Sequence, residues 1–205
     1  MDCACLGLWQ HHTLQGVRRN LHDDVTRFLN KSPENQAVGD NLKSRIGATL
    51  TPQLLCLVIY RLAHWLHLNG WRRMAALAVD LNAALHRIHL SADSCLGPGC
   101  LLPHPAGVFF VGRGGAGLTI YSLAVCSPRA DAPLAQAHEG PTLGERVTLG
   151  AQSVLLGRLT VGDDTKIGFC LRLQSDVPGQ RMVMSRRWRA RIRAAPNTSA
   201  EADAA

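Results

Sequence analysis

Hydrophobic and polar positions follow two rhythms along this chain, one of them in two blocks that are out of phase. Between Pro141 and Leu173 an aliphatic residue stands at every sixth position: Leu143, Leu149, Leu155, Val161, Ile167 and Leu173. Gly144, Gly150, Gly162 and Gly168 directly follow four of them. A step of six fits neither an α-helix, with about 3.6 residues per turn, nor a half-exposed strand, with a period of about 2. It suits short strands that form the flat sides of a three-sided solenoid and send one aliphatic side chain each to the axis. The glycine then takes the next corner, where a Cβ would clash or force φ > 0.

A weaker block with the same step lies upstream, at Leu90, Leu96, Leu102, Val108 and Ile120, with Gly114 at the remaining position. The two blocks are out of phase, because positions 120 and 143 are 23 apart, which is not a multiple of six. A loop must therefore leave the solenoid between them. Residues 127–141, with three prolines and many small side chains, have the composition of such an excursion.

Before residue 89 the rhythm is helical. Thr51-Pro52 reads as an N-cap followed by proline at the first helical position. Leu54, Leu55, Val58, Ile59, Leu62, Trp65 and Leu66 recur at steps of three and four, and Asn69-Gly70 closes the helix. A second helix is predicted from Trp71 to about Arg87. Arg61, His64 and His67 interrupt the apolar run, so a buried helical hairpin is expected rather than a membrane span. His64 and His67 fall near one face, a spacing shared by ligand pairs and by ordinary surface or capped histidines. In residues 1–45 a short helix is predicted from Leu21 to Leu29, opened by Asp23 and Asp24, and Pro33 and Gly39 punctuate the chain after it.

The predicted fold class is α+β. A helical region over 1–88 precedes a parallel β-helix over 89–185 with the excursion loop 127–141, and a basic tail over 186–205 is expected to be disordered. A chain of 205 residues is long enough for one or two domains with a real core.

Charge adds a partner class. The formal net charge is +7, with Arg181, Arg186, Arg187, Arg189, Arg191 and Arg193 crowded near the end. Such a balance calls for an anionic partner: nucleic acid, membrane lipid or a phosphate-bearing cofactor. Seven cysteines, odd in number and scattered, together with a start that lacks a leader pattern, read as free thiols in a reducing cytoplasm. Cys3-x-Cys5 beside His11 and His12 matches no standard zinc spacing, so no metal is expected.

The repeats L143-G-E-R-V-T, L149-G-A-Q-S-V, L155-L-G-R-L-T, V161-G-D-D-T-K and I167-G-F-C-L-R resemble those of the hexapeptide-repeat acyltransferases, which fold as left-handed parallel β-helices. The order of hairpin, first coils, loop and regular coils is similar to the serine O-acetyltransferase family over roughly residues 50 to 185. L96-G-P-G-C-L-L-P-H104-P-A-G-V resembles the stretch that carries the family's catalytic histidine. The run from Pro141 to Gly168 resembles its coenzyme-binding coils, and D176-V-P its closing turn.

The resemblance implies transfer of an acetyl group from acetyl-CoA to the hydroxyl of L-serine, with no metal. It implies His104 as general base, since a neutral imidazole can take the hydroxyl proton as the oxygen attacks the thioester. His138 in the loop and His89 on the first coil are the implied substrate-binding positions. Gly150, Ala151, Lys166 and Gly168 are the implied coenzyme-binding ones, with lysine suited to phosphate. A homotrimer, or a dimer of trimers, is implied by the same likeness; neither nucleic acid nor membrane is called for.

Four departures from the family stand out. His89 occupies the place of an aspartate that supports the base, and Leu90-Ser91-Ala92 replaces I-H-P. Pro103 replaces the aspartate before the base, and A137-H-E-G-P-T replaces the family's R-H-P-K. These departures keep two other readings in view: the same chemistry on a sugar hydroxyl, and a β-helix that serves as a scaffold without turnover.

Overall fold

In a computed structural model of the chain, the described residues are 11–31, 47, 49–128, 139–186 and 189–194. Short strands, mostly of two residues, stack into three sheets whose successive coils run parallel. The first sheet contains β1 (His89–Leu90), β3 (Phe109–Phe110), β6 (Val125–Ser127), β9 (Val154–Leu156) and β12 (Arg172–Leu173). The second contains β2 (Cys95–Leu96), β4 (Arg113–Gly114), β7 (Thr142–Leu143) and β10 (Thr160–Val161). The third contains β5 (Thr119–Ile120), β8 (Thr148–Leu149), β11 (Lys166–Ile167), β13 (Arg181–Arg186) and β14 (Arg189–Ala194). The chain visits the three sheets in rotation, as a parallel β-helix must, and the six aliphatic positions from Leu143 to Leu173 are all buried on its axis.

The excursion leaves the stack undisturbed. Leu149 pairs with Ile167, 18 residues on, the length of a plain coil. Across the loop Gly114 pairs with Leu143, Ile120 with Leu149 and Cys126 with Leu155, each 29 residues on. One register change thus serves all three sides.

In the first block the expected phase is corrected. Leu90 pairs with Phe110 rather than with Val108, so the step after Leu102 is eight residues and the next, to Gly114, is four. The longer step widens the corner that carries His104. Gly114 compensates on the axis: a Cβ there would lie 2.6 Å from Leu118 Cδ2 and 3.6 Å from the Phe110 ring. A large ring beside a missing side chain keeps the interior filled.

Glycine behind the repeat aliphatic serves stacking rather than dihedral freedom. A Cβ on Gly150 would stand 2.7 Å from the carbonyl carbon of Gly168 and 2.7 Å from the Ile167 oxygen in the next coil. Positive φ falls two residues later, on Arg146, Gln152 and Cys170, all between 53° and 58°. Gly150→Ala is therefore expected to destabilise the fold by about 1–3 kcal/mol, the usual effect of overpacking, read as a lower urea midpoint.

Three helices are described: α1 (Leu14–Lys31), α2 (Pro52–Leu68) and α3 (Arg72–His86). The hairpin α2–α3 matches its prediction, down to Asn69 as the C-cap and Gly70 at φ +86°. Helix α1 is longer than the expected Leu21–Leu29, and Asp24 lies in its middle, buried, rather than at its start. The face that α2 buries includes Leu54, Leu57, Tyr60, Arg61 and His64, whereas Leu62 is 48% exposed. Two of the residues that break the apolar run, Arg61 and His64, are thus inward-facing.

They face inward because the first coil has open backbone groups to satisfy. Arg61 reaches Asp24 through Nε and Nη2, both at 3.1 Å, and donates to the carbonyls of Leu96 and Gly97. The Cys100 N–H donates to Asp24 at 2.7 Å. The Tyr60 hydroxyl donates to the Ser94 carbonyl at 2.7 Å and accepts from the Leu96 N–H at 3.1 Å. Arg27 on α1 donates to the Leu118 carbonyl and to Thr119 Oγ1, both at 2.9 Å. Buried backbone groups need such partners, and the helices supply them.

Two further expectations are corrected. The basic tail does not leave the solenoid at residue 186: β13 runs parallel to β11 and turns back antiparallel along β14. The segment from Pro196 onward lies outside the described residues. Cys56, Cys100 and Cys126 are buried free thiols and Cys170 an exposed one, but Cys95 is disulfide-bonded, with its partner outside the described residues. No described helix is long and apolar enough to cross a membrane.

Candidate functional site

Ridges of the third sheet enclose an open cleft of about 520 Å³. Each coil contributes a short segment: Tyr121 after β5, Thr148 and Gly150 at β8, Lys166 to Phe169 at β11, and Met182 with Met184 on β13. The spacing of the solenoid places these segments one above another, since Lys166 pairs with Thr148 on one side and with Met182 on the other. The lining is mostly apolar, and among the described residues the exposed Lys166 is its one cation. The Lys31 ammonium sits 5.5 Å over the Tyr121 ring, which brings a second cation from α1 towards the same end.

Three of the four predicted coenzyme positions, Gly150, Lys166 and Gly168, line this one cleft. Ala151, half-buried at the corner beyond β8, does not line it. Tyr121, Phe169, Met182 and Met184 are not among the positions predicted from sequence. The exposure of Phe169, at 68%, points to the signal that finds it: a large ring at a corner position beside a repeat glycine.

His104 is exposed, in the widened corner between Pro103 and Pro105. Among the described residues no carboxylate bonds its ring, and it is not part of the cleft lining. His89 lies elsewhere on the first coil and stacks on Phe109, with ring centroids 4.7 Å apart at 13°. Burial pushes its pKa down, against a weaker upward pull from Asp80. His138 lies outside the described residues.

Two other histidines are fully buried at the helical end. Desolvation lowers His64 to about 4, with the Ala92 carbonyl pulling the other way. Desolvation, and then the neighbouring His64, lower His11 to about 3. Both rings are neutral and cut off from solvent, whereas His104 is open to an incoming hydroxyl.

The serine acetyltransferase of Helicobacter pylori (strain 26695) is 33% identical over 132 residues, which span 63% of this chain and 75% of that protein. The chain belongs to the serine acetyltransferase family. The Mycobacterium tuberculosis serine acetyltransferase is 28% identical over 127 residues, which span 61% of this chain and 54% of that protein. In three dimensions the serine acetyltransferase of Neisseria gonorrhoeae superposes with a TM-score of 0.79 at 19% identity, covering 94% of this chain and 73% of that one. The same enzyme solved in complex with serine superposes with a TM-score of 0.74, covering 90% of this chain and 72% of that one. The fold is therefore the left-handed parallel β-helix of serine acetyltransferases, with helices at its N-terminal end. No protein-family model matches the chain.

Proposed function

We propose that the chain is an acetyl-CoA-dependent O-acetyltransferase acting on L-serine, the reaction that leads toward cysteine, as a cytoplasmic homotrimer or dimer of trimers. The observation that carries this reading is the cleft on the third sheet, where Gly150, Lys166 and Gly168 from successive coils share one apolar groove. Such a groove suits a long thiol ester with an apolar arm and an anionic end. Lys166 is the cation for a phosphate, and the glycines let the donor approach the backbone closely.

In this reading His104 removes the proton of the acceptor hydroxyl as its oxygen attacks the thioester carbonyl. The tetrahedral oxyanion then needs backbone N–H donors, which exposed coil corners offer. Collapse breaks the carbon–sulfur bond, and the proton held by His104 leaves with the coenzyme thiol. His138 and His89 are the implied substrate contacts; the stacking of His89 on Phe109 supports a packing part for that ring instead.

A second reading has its own support. His104 lacks a carboxylate partner among the described residues, and His89 stands where the family's supporting aspartate would be. A base without that partner loses control of its tautomer, which favours a weakened or non-catalytic β-helix that serves as a scaffold. Release of free thiol from acetyl-CoA separates the readings. Serine-dependent release is expected; release with sugars alone moves the acceptor to a sugar hydroxyl, and no release with any acceptor leaves the scaffold.

A further inference from the structure

The corner that carries His104 belongs to the same ridge as the cleft, one coil earlier in the chain. Leu101 bridges to Thr119 in parallel. The Leu101 N–H donates to the Leu118 carbonyl and the Ile120 N–H to the Leu101 carbonyl, both at 2.9 Å. At the far side of the corner the Leu123 N–H donates to the Ala106 carbonyl at 3.2 Å. The turn with His104 therefore lies next to the turn with Tyr121, which lines the cleft. Lys166 on β11 stands two strands beyond β5, or about 10 Å along the axis in the opposite direction. A donor with its anionic end at Lys166 thus has its thioester at the Tyr121 end, beside His104.

A second cation hangs over that reacting end. Lys31 is the last residue of α1, and its ammonium stands 5.5 Å from the centre of the Tyr121 ring. Arg27, one turn earlier, pins α1 at this level by donating to the carbonyls of Gly99 and Leu118 and to Thr119 Oγ1. Residues four apart share a helix face, so the same anchor holds Lys31 against these coils. Among the described residues no carboxylate pairs with Lys31. Partial burial, and then the Arg27 charge, push its pKa down. A helix C-terminus favours any cation. The aromatic ring beneath and the lack of a counter-charge set this one apart, because an ammonium on a ring face keeps its N–H donors for an anion.

We propose that Lys31 binds the carboxylate of the acceptor amino acid and so selects L-serine over neutral hydroxyl compounds, an assignment that rests on the acyl transfer proposed above. The carboxylate and the hydroxyl of serine are covalent near neighbours. With the hydroxyl at His104, the carboxylate must lie at the same end of the cleft, where Lys31 is. Lys166 cannot serve both ends, since it stands where the donor's phosphates belong. Two lysines from different elements then divide the anions between them: Lys166 on the solenoid for the donor and Lys31 on the helix for the acceptor.

The test compares L-serine with L-serinamide, which keeps the hydroxyl and the amine but has no carboxylate, by thiol release from acetyl-CoA with the full chain. The parent is expected to prefer L-serine by about 10- to 100-fold in kcat/KM, the worth of a hydrogen bond to a charged group. Lys31→Gln and Lys31→Met should erase most of that preference through a higher KM for L-serine, with KM for acetyl-CoA unchanged. Lys31→Arg should retain it. Lys31 is exposed at a helix end, so these variants should keep the parent's urea midpoint. A parent that uses both acceptors equally well overturns the proposal without any variant. A neutral variant that keeps the parent's preference overturns it too, as do equal losses with both acceptors, which mark a structural or oxyanion role; all three leave acyl transfer to serine standing. A parent that releases no thiol with L-serine, or releases it with sugars alone, overturns the proposed acceptor and this assignment together.

Discussion

Replacing His104 by alanine is expected to slow acetyl transfer by at least about a hundredfold, the lower end of what a general base supplies. Its place in the fold makes the experiment clean. The ring is exposed, at a corner whose backbone is set by two flanking prolines, and it holds no described element to another. The stability of the variant should therefore stay within about 0.5 kcal/mol of the parent, as for most surface substitutions. Turnover is read as kcat/KM by thiol release, and stability by urea unfolding. Full activity in a folded variant would remove His104 from the mechanism while leaving the fold intact.

The second large effect concerns stability. Asp24→Asn is expected to cost about 3–5 kcal/mol, because it leaves the Arg61 guanidinium buried without its counter-charge. Both side chains are essentially inaccessible, at 0% and 2% exposure, so water cannot take the carboxylate's place. Asp24 also accepts from the Cys100 N–H, which adds a second weakened bond at the first coil. An apolar double replacement of Asp24 and Arg61 should not restore stability. Arg61 also serves the carbonyls of Leu96 and Gly97, and these would be orphaned. A loss of less than about 1 kcal/mol for Asp24→Asn, measured by urea unfolding, would mean that this pair is not what joins the helices to the solenoid.

The same pair shows where pattern reading stops. The hexapeptide rhythm is a local code: each aliphatic answers only to the one stacked above it, so a step of six survives in the sequence and gives the side length directly. Asp24 and Arg61 are 37 positions apart, and their charges read as a helix opener and an interruption of an apolar run. Both meanings are reversed by the open end of the solenoid, whose unpaired backbone groups draw polar side chains inward. Val108 misleads for a related reason. A corner can grow by two residues and the next side can shrink by two without changing the coil, which leaves Phe110 on the axis instead.

The candidate site divides along the same line. Gly150, Lys166 and Gly168 sit on successive coils at fixed register, so a motif that names them also brings them together. Met182 and Met184 join the cleft only because β13 pairs with β11 after a shorter coil, which no repeat announces. The meeting of His11, His64 and Cys95 is invisible in the sequence, because His64 lies on α2, Cys95 on β2 and His11 ahead of α1, with no fixed spacing among them.

By itself, then, the sequence determined the three-sided coil, the helical hairpin before it and the loop that interrupts it, because each shows as a step of fixed length, or a break in that step, along the residues. Only the tertiary structure decided which polar groups are buried, why the repeat glycines are required, which corner was enlarged and which histidines meet a sulfur. Those outcomes depend on packing and hydrogen-bond satisfaction between segments that are distant in the chain, and one-dimensional spacing carries no record of them.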